Sequence, residues 1–302
     1  MKLYAPKYYC DFFCIADKCR HSCCIGWEID VDGEAMKKYR SQSGGYGEKI
    51  ISTIDETDTP HFRLDENERC PHLDESGLCK IISELGDGFL CDICREHPRF
   101  YNDTQHFREV GLGMSCEAAC KIILSSDEYC IRTELGEVDG EGMPSELDTL
   151  ELRSRLYAIL KDRSTPYKDR LSLIYAEFGV SPAEFADSEW RTLLHSLEYL
   201  SPSNRDKFCI YSSSAQPSER WDCILERALA YFIFRHCTEC FDEEEYRCAL
   251  GFCLFCERLL ASLICADNTQ NESEIFELAR TLSEELEYSE ENTSAIKDIF
   301  YI

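Results

Sequence analysis

Where this chain places its sulfur constrains its fold more than any other feature. Of 20 cysteines in 302 residues, twelve lie in residues 1–130, none in 131–208 and eight beyond. The stretch "CRHSCCIGW" puts Cys19, Cys23 and Cys24 into one bend. Vicinal Cys23 and Cys24 bridge each other only with strained geometry. They make better sense if they point at different partners or into one cluster. Further thiols follow in groups: Cys70 and Cys79 across "CPHLDESGLC", Cys91 and Cys94 in "CDIC", and Cys116 and Cys120 in "SCEAAC".

The redox setting decides how such thiols are read. The N-terminus "MKLYAPKYYCDFFCIADK" has no apolar core segment and no small-residue cleavage site, so no signal peptide is expected. A secreted disulfide scaffold is usually shorter than this chain. In a reducing cytoplasm the same thiols stay reduced and act as metal ligands or reactive groups. Loop thiolates are the usual ligands of zinc or an iron–sulfur cluster. Such a metal repays the ordering entropy of a segment that has little core of its own. Early in the chain only Cys91 and Cys94 have C-x-x-C spacing, and no partner pair matches them. The scattered remainder suits a cubane cluster somewhat better than a zinc ribbon, but spacing leaves both metals open. The C-x-x-x-C-x-x-C triplet of radical enzymes is absent; Cys19, Cys23 and Cys24 approach it without its final spacing.

Charge narrows the partners. There are 58 Asp and Glu against 32 Lys and Arg, a net charge of −26. That balance argues against nucleic acid, whose phosphates want Lys and Arg, and against an anionic membrane surface. It allows a lysine-rich protein or a cationic small molecule, or serves solubility alone. The longest apolar runs are "ALAYFIF" and "ALGFCLFCERLLASLICA". The second is interrupted by Glu257 and Arg258, and neither reads as a span of roughly 20 apolar residues.

The expected fold is mainly α. An irregular cysteine-rich metal-binding region with short strands fills 1–133, an acidic, Gly-rich linker 134–147, and an α-helical bundle 148–302. In the first region "GWEIDVD" and "HFRL" read as short strands, Asp32 as the N-cap of a helix, and "CPHLDESGLC" as a hairpin. A helix enters near Ser115. In the last region Leu152, Leu156, Ile159 and Leu160 recur at helical spacing. Cys248, Cys253, Cys256 and Cys265 lie in apolar helical stretches and read as core packing. Cys237 and Cys240 have ligand-pair spacing, with no second pair evident beside them.

No P-loop, G-x-S-x-G or H-E-x-x-H motif occurs. No G-x-G turn follows a strand in a βαβ pattern, so a Rossmann-type methyltransferase is not visible.

The segments "CIADKCRHSCCIGWEIDVD", "CPHLDESGLCKIISELG", "LCDICREHPRFY" and "GLGMSCEAA" together resemble the flagellin lysine-N-methylase family, with "ERALAYFIFRH" similar to a later motif. The resemblance implies a cytoplasmic enzyme that transfers methyl groups from S-adenosylmethionine to lysine side chains of flagellin, or of another lysine-bearing protein. It implies a [4Fe–4S] cluster as cofactor. The family pattern maps onto Cys14, Cys19, Cys23, Cys24, Cys70, Cys79, Cys94 and Cys116; Cys10 and Cys91 fall outside it. The competing reading is a non-enzymatic zinc- or iron-binding module on a helical scaffold.

Methyl transfer to lysine needs a neutral amine, although free Lys has a pKa near ~10.4. The site must desolvate the amine or supply a base. Trp27 either lines a donor pocket or plugs the cysteine loop. Glu117 either serves the amine or the cluster's surroundings, or is a first-turn acid on a helix dipole. Arg99 suits the donor's carboxylate or a structural salt bridge. His72 and His97, beside cysteines, are ligands or solvated loop side chains.

Overall fold

The computed structural model describes residues 1–302 apart from Ser43, Glu141, Pro144, Glu146 and Ile302. The chain divides into two compact units. The smaller is Phe13–Arg99; the larger combines Met1–Phe12 with Phe100–Ile302. These limits differ from a division at 133 and 148. Strand pairing explains the difference: the first strand belongs to a sheet whose other members lie near or beyond residue 100.

That first strand, β1 (Lys2–Pro6), opens the larger unit. The smaller unit follows with α1 (Gly33–Ser41), α2 (Tyr46–Ser52), β2 (Ile54–Asp55), β3 (His61–Phe62), α3 (Lys80–Leu85) and α4 (Asp92–Glu96). Asp32 caps α1 as its sequence context requires, accepting from the N–H groups of Glu34 (3.0 Å) and Ala35 (2.9 Å). Its other carboxylate oxygen accepts from the Asp92 N–H at 2.7 Å, which fixes the start of α4. Two- and three-point contacts replace long ladders here. "GWEIDVD" forms no strand: the residue before it, Ile25, makes a single bridge to Arg69, and the segment itself makes another, Asp30 to His61. Its partner β3 is two residues long and follows Pro60, which cannot donate to a ladder. A small core gathers Ile29, Val31, Tyr39, Ile50, Phe62 and Ile81.

The larger unit resumes at Phe100, the second residue of β4 (Arg99–Asp103), and continues with β5 (Phe107–Leu112), α5 (Glu117–Ser125) and β6 (Arg132–Glu137). The sheet order is β4–β5–β1–β6. β1 runs parallel to β5, with Leu3 opposite Arg108, and antiparallel to β6, with Ala5 opposite Thr133. β6 takes the first residues of the segment read as a linker; Glu141, Pro144 and Glu146 of that segment lie outside the described residues. Helices then dominate, in agreement with a mainly α reading: α6 (Thr149–Lys161), α7 (Tyr167–Phe178), α8 (Asp187–Ser196), α9 (Pro202–Phe208), α10 (Asp222–His236), α11 (Glu243–Ala266), α12 (Glu272–Leu286) and α13 (Glu290–Asp298).

α10 and α11 form the centre. Along α11 the residues from Tyr246 to Ile264 are buried, save Arg247 and Arg258. By length and composition this helix could cross a membrane, yet 89% of its apolar window is buried in the protein, which accounts for its composition. Trp190 packs on Phe255 with ring centroids 4.3 Å apart. Gly111 in β5 lets the sheet meet α10, since a side chain there would collide with the Phe100 and Phe234 rings.

Charges inside this unit are paired, as burial demands. Glu109 takes two hydrogen bonds of 2.7 Å from Arg153, with Arg132 at 3.0 Å. Glu226 accepts from Arg170 (2.7 Å), Arg163 (2.9 Å) and the Tyr129 hydroxyl (2.8 Å). Glu287 accepts from His236 at 2.7 Å and from Tyr231 at 3.1 Å. Cys248, Cys253 and Cys256 are buried as expected, whereas Cys265, in the last turn of α11, is exposed.

Candidate metal centre

All 20 cysteines are in the thiol form. In the smaller unit the chain is bent so that distant thiols become neighbours. A turn at Ala16–Lys18 precedes Cys19, whose thiol donates to the His21 carbonyl at 3.1 Å. Gly26, at φ +90°, then reverses the chain in a conformation that favours glycine. The reversal is stitched to the segment before the hairpin: the Gly26 N–H donates to Glu68 O (3.0 Å) and the Cys70 N–H to Cys24 O (2.8 Å). The bend therefore delivers Cys24 beside Cys70.

The hairpin brings the third thiol. Asp74 holds the turn, its carboxylate accepting from the Ser76 N–H at 2.8 Å and the Leu78 N–H at 2.9 Å. Leu73 bridges to Cys79, which sits at the N-cap of α3. Cys91 occupies the N-cap of α4, and Cys94 lies one turn on. Cys24, Cys70, Cys79, Cys91 and Cys94 all belong to the small core with Ile29, Tyr39 and Ile81.

Their electrostatics show mutual proximity. The Cys24 thiol is lowered to about 7, first by a hydrogen bond from Cys23, with Ser22 and Arg69 helping and burial opposing. Cys70 is pushed up to about 12, by burial and then by the charges of Cys24, Cys79 and Cys91. Burial also raises Cys79, against the N–H groups of Ile81 and Ile82. Cys91 and Cys94 share a hydrogen bond that lowers Cys91 and raises Cys94. Packing the thiols together thus favours the ionised form at Cys24 and Cys91 and disfavours it at Cys70, Cys79 and Cys94. A cation at their centre relieves that conflict.

The donor chemistry is sulfur, which suits a soft metal group and not Ca²⁺ or Mg²⁺. Among the described residues no three His, Cys, Asp or Glu side chains already stand as a closed metal-holding set. The thiols are neighbours that a bound group would draw together.

The other expected residues are placed as follows. Cys14 and Cys23 are exposed; Cys14 accepts from the Ala16 N–H at 3.4 Å. Cys116 and Glu117 belong to the larger unit, as N-cap and first residue of α5. Trp27 donates to the Cys23 carbonyl at 2.7 Å and lies 6.0 Å from the His97 ring. It therefore clamps the cysteine bend and retains an aromatic face. His97 is held neutral near physiological pH, its pKa lowered to about 4 by burial and Arg99. Arg99 donates to the Arg95 carbonyl at 3.3 Å. Both nitrogens of buried His72 are engaged, Nδ1 with Tyr46 (2.8 Å) and Nε2 with Thr53 (3.0 Å), so it orders α2 and is not placed as a ligand. Cys91, outside the family pattern, lies inside the thiol core; its C-x-x-C spacing to Cys94 was the available signal.

A cleft of about 580 Å³ in the larger unit is lined by Asp103, Asp148, Glu239, Glu245, Phe107 and Phe241. Its acids are largely used structurally. Asp103 pairs with Arg108, Asp148 caps α6, and Glu245 accepts from the Phe241 N–H.

No protein-family profile matches the chain, and no solved structure matches it. Curated relatives do. The chain is 26% identical over 165 residues to the flagellar biosynthetic protein FliU of Salmonella muenchen, covering 51% of this chain and 94% of that protein. It is 25% identical over 140 residues to the lysine-N-methylases of Salmonella choleraesuis and Salmonella typhimurium. That match covers 43% of this chain and 34% of each methylase, so the chain spans about a third of their length. These similarities relate the chain distantly to proteins named for lysine methylation and for the flagellum.

Proposed function

We propose that this protein is a cytoplasmic protein-lysine N-methyltransferase that uses S-adenosylmethionine, acts on flagellin or another lysine-bearing protein, and depends on an iron–sulfur cluster. The observation that supports the metal-dependent part is the gathering of Cys24, Cys70, Cys79, Cys91 and Cys94 in one small core. The reaction class is supported by the distant similarity to lysine-N-methylases.

In this reading the inner thiols hold the cluster, with Cys23 positioned to assist Cys24. When bound, the cluster supplies a Lewis-acidic centre and a fixed crosslink for the loops. The chain's own residues do the rest. Trp27, tethered through its indole N–H, offers its face to a sulfonium or ammonium cation, a contact worth about 0.5–2 kcal/mol. The uncharged His97 ring beside it does not repel that cation. Arg99 is the donor-carboxylate candidate in the same unit.

Anaerobic purification followed by iron and sulfide analysis tests the cofactor; incubation with methyl-labelled S-adenosylmethionine and flagellin tests the reaction. Iron with acid-labile sulfide, and label on flagellin lysines, are expected. A colourless protein holding zinc alone would remove the cluster. No transfer by an iron-loaded sample would leave the binding-module reading in its place.

A further inference from the structure

The larger unit carries a second group of thiols, in which Cys237 and Cys240 have ligand-pair spacing and Cys253 and Cys256 read from the sequence as core packing. We infer that Cys237, Cys240 and Cys253, with Cys256 adjoining, form a buried site for a thiophilic divalent metal ion, zinc fitting best. The two C-x-x-C pairs come from different elements. Cys237 ends α10 and Cys240 lies in the link to α11, while Cys253 and Cys256 are three residues apart on α11 and share a face. All four are at most 4% exposed.

Three observations point to a ligand. The Cys237 and Cys253 sulfurs stand 3.7 Å apart. Zinc–sulfur bonds of about 2.3 Å in a tetrahedron put neighbouring sulfurs about 3.8 Å apart, so this pair already has the spacing of two zinc ligands. Next, the buried Tyr246 hydroxyl has no hydrogen-bond partner among the described residues, and Cys237, Cys240 and Cys253 are the charged groups that act on it most strongly. Buried hydroxyls are normally satisfied. A metal-bound thiolate is the acceptor this one lacks. Finally, Lys297 acts electrostatically on all four cysteines, supplying positive charge towards thiolates against the opposing carboxylates of Glu287 at Cys253 and Cys256 and of Glu239 and Glu245 at Cys240.

Binding requires rearrangement, since among the described residues no three such side chains already stand as a metal-holding set. The Cys240 sulfur now rests on the His236 carbonyl at 3.8 Å, a weak contact it would give up. Each coordinating thiol loses a proton to solvent as its sulfur–metal bond forms, with no change of oxidation state. Apolar packing alone accounts for buried cysteines; it leaves the Tyr246 hydroxyl unexplained.

The test uses the full chain carrying Cys70→Ala and Cys94→Ala, which disables the smaller unit's thiol core, purified with zinc present. One tightly held zinc per chain with a sulfur shell in X-ray absorption is expected, and an added Cys237→Ala/Cys253→Ala should abolish it. No zinc in the first protein, or unchanged zinc in the second, overturns the proposal. Tyr246→Phe added to the Cys70→Ala/Cys94→Ala chain guards against misfolding of the variant that lacks Cys237 and Cys253. Loss of that outer hydrogen bond should weaken zinc binding by about 10–100-fold in a chelator competition; unchanged affinity also overturns it. None of these outcomes depends on methyl transfer.

Discussion

Between Phe13 and Arg99 the chemistry-bearing side chains of the core are chiefly thiols, supplied by loops, helix caps and one short helix, in a unit whose helices run five to nine residues. Beyond Phe100 they are chiefly carboxylates and guanidiniums, carried on helices of up to 24 residues. Helices shorter than about 12–15 residues are marginal by themselves, so the smaller unit relies on whatever ties its loops together. The larger unit ties itself together by packing, and its buried charges are neutralised by named partners. Sulfur in the first unit is therefore a candidate for holding the fold, whereas an ion pair in the second is a local constraint inside a fold that already has its core.

The largest effect expected from this contrast is unequal collapse on metal removal. Stripping bound metal, or replacing Cys70 and Cys94 with Ala, should abolish amide hydrogen-exchange protection across Phe13–Arg99 and leave α10 and α11 protected. Structural metal sites contribute on the order of 10 kcal/mol to small domains, enough to decide whether this unit folds. Unchanged protection in the smaller unit would show that Ile29, Tyr39 and Phe62 suffice, and the contrast would fail.

A second break is aimed at the larger unit. Arg153→Leu leaves Glu109, 1% exposed, with only the more accessible Arg132. Breaking a buried pair from one side costs about 3–5 kcal/mol, read as a lower urea midpoint. The double change Glu109→Leu/Arg153→Leu should recover much of that loss, because no buried charge is left alone. Equal losses in both variants would mean that the side chains matter for shape and not for charge.

The helices of the larger unit were legible because long amphipathic or wholly apolar runs leave a periodic trace, as α11 does; in the smaller unit the Asp32 cap was legible from its residue type and position. The sheet was not. β6 is "RTELGE", almost wholly exposed, so it lacks the alternating pattern that marks a half-buried strand. β1 and β5 are parallel neighbours a hundred residues apart, and no local signal encodes that pairing. The thiol core was legible in composition but not in membership. Spacing suggested several ligands, yet Cys91 enters through the α4 cap that Asp32 fixes from sixty residues away. Cys253 meets Cys237 only because α11 doubles back on α10.

That dependence on Asp32 gives a smaller effect. Asp32→Ala removes the α1 cap and the acceptor for the Asp92 N–H together. Loss of a cap costs about 1–2 kcal/mol, seen as a lower unfolding midpoint of the smaller unit. Cys91, 1% exposed, should also alkylate faster as its helix start loosens. Unaltered Cys91 labelling would separate the cap from the thiol core.

The smallest effect tests whether exposed charge in the larger unit is as dispensable as the contrast implies. Asp127 accepts from Arg163 at 2.5 Å and Arg227 at 2.8 Å, but its side chain is 56% exposed. Its pKa is lowered from 3.8 to about 2, first by the Arg163 hydrogen bond and then by Arg227. A carboxyl whose folded pKa is depressed contributes stability that is complete above its unfolded value and lost as pH falls through the folded one. The stability advantage over Asp127→Asn should therefore hold above pH 3.8 and fade towards pH 2. Screening should shrink it further in high salt, as for other exposed pairs. Thermal melts of both proteins across that range read it directly. An advantage that persists at the acid end would assign Asp127 a shape role, and exposed and buried charges in this unit would then differ less than their accessibility suggests.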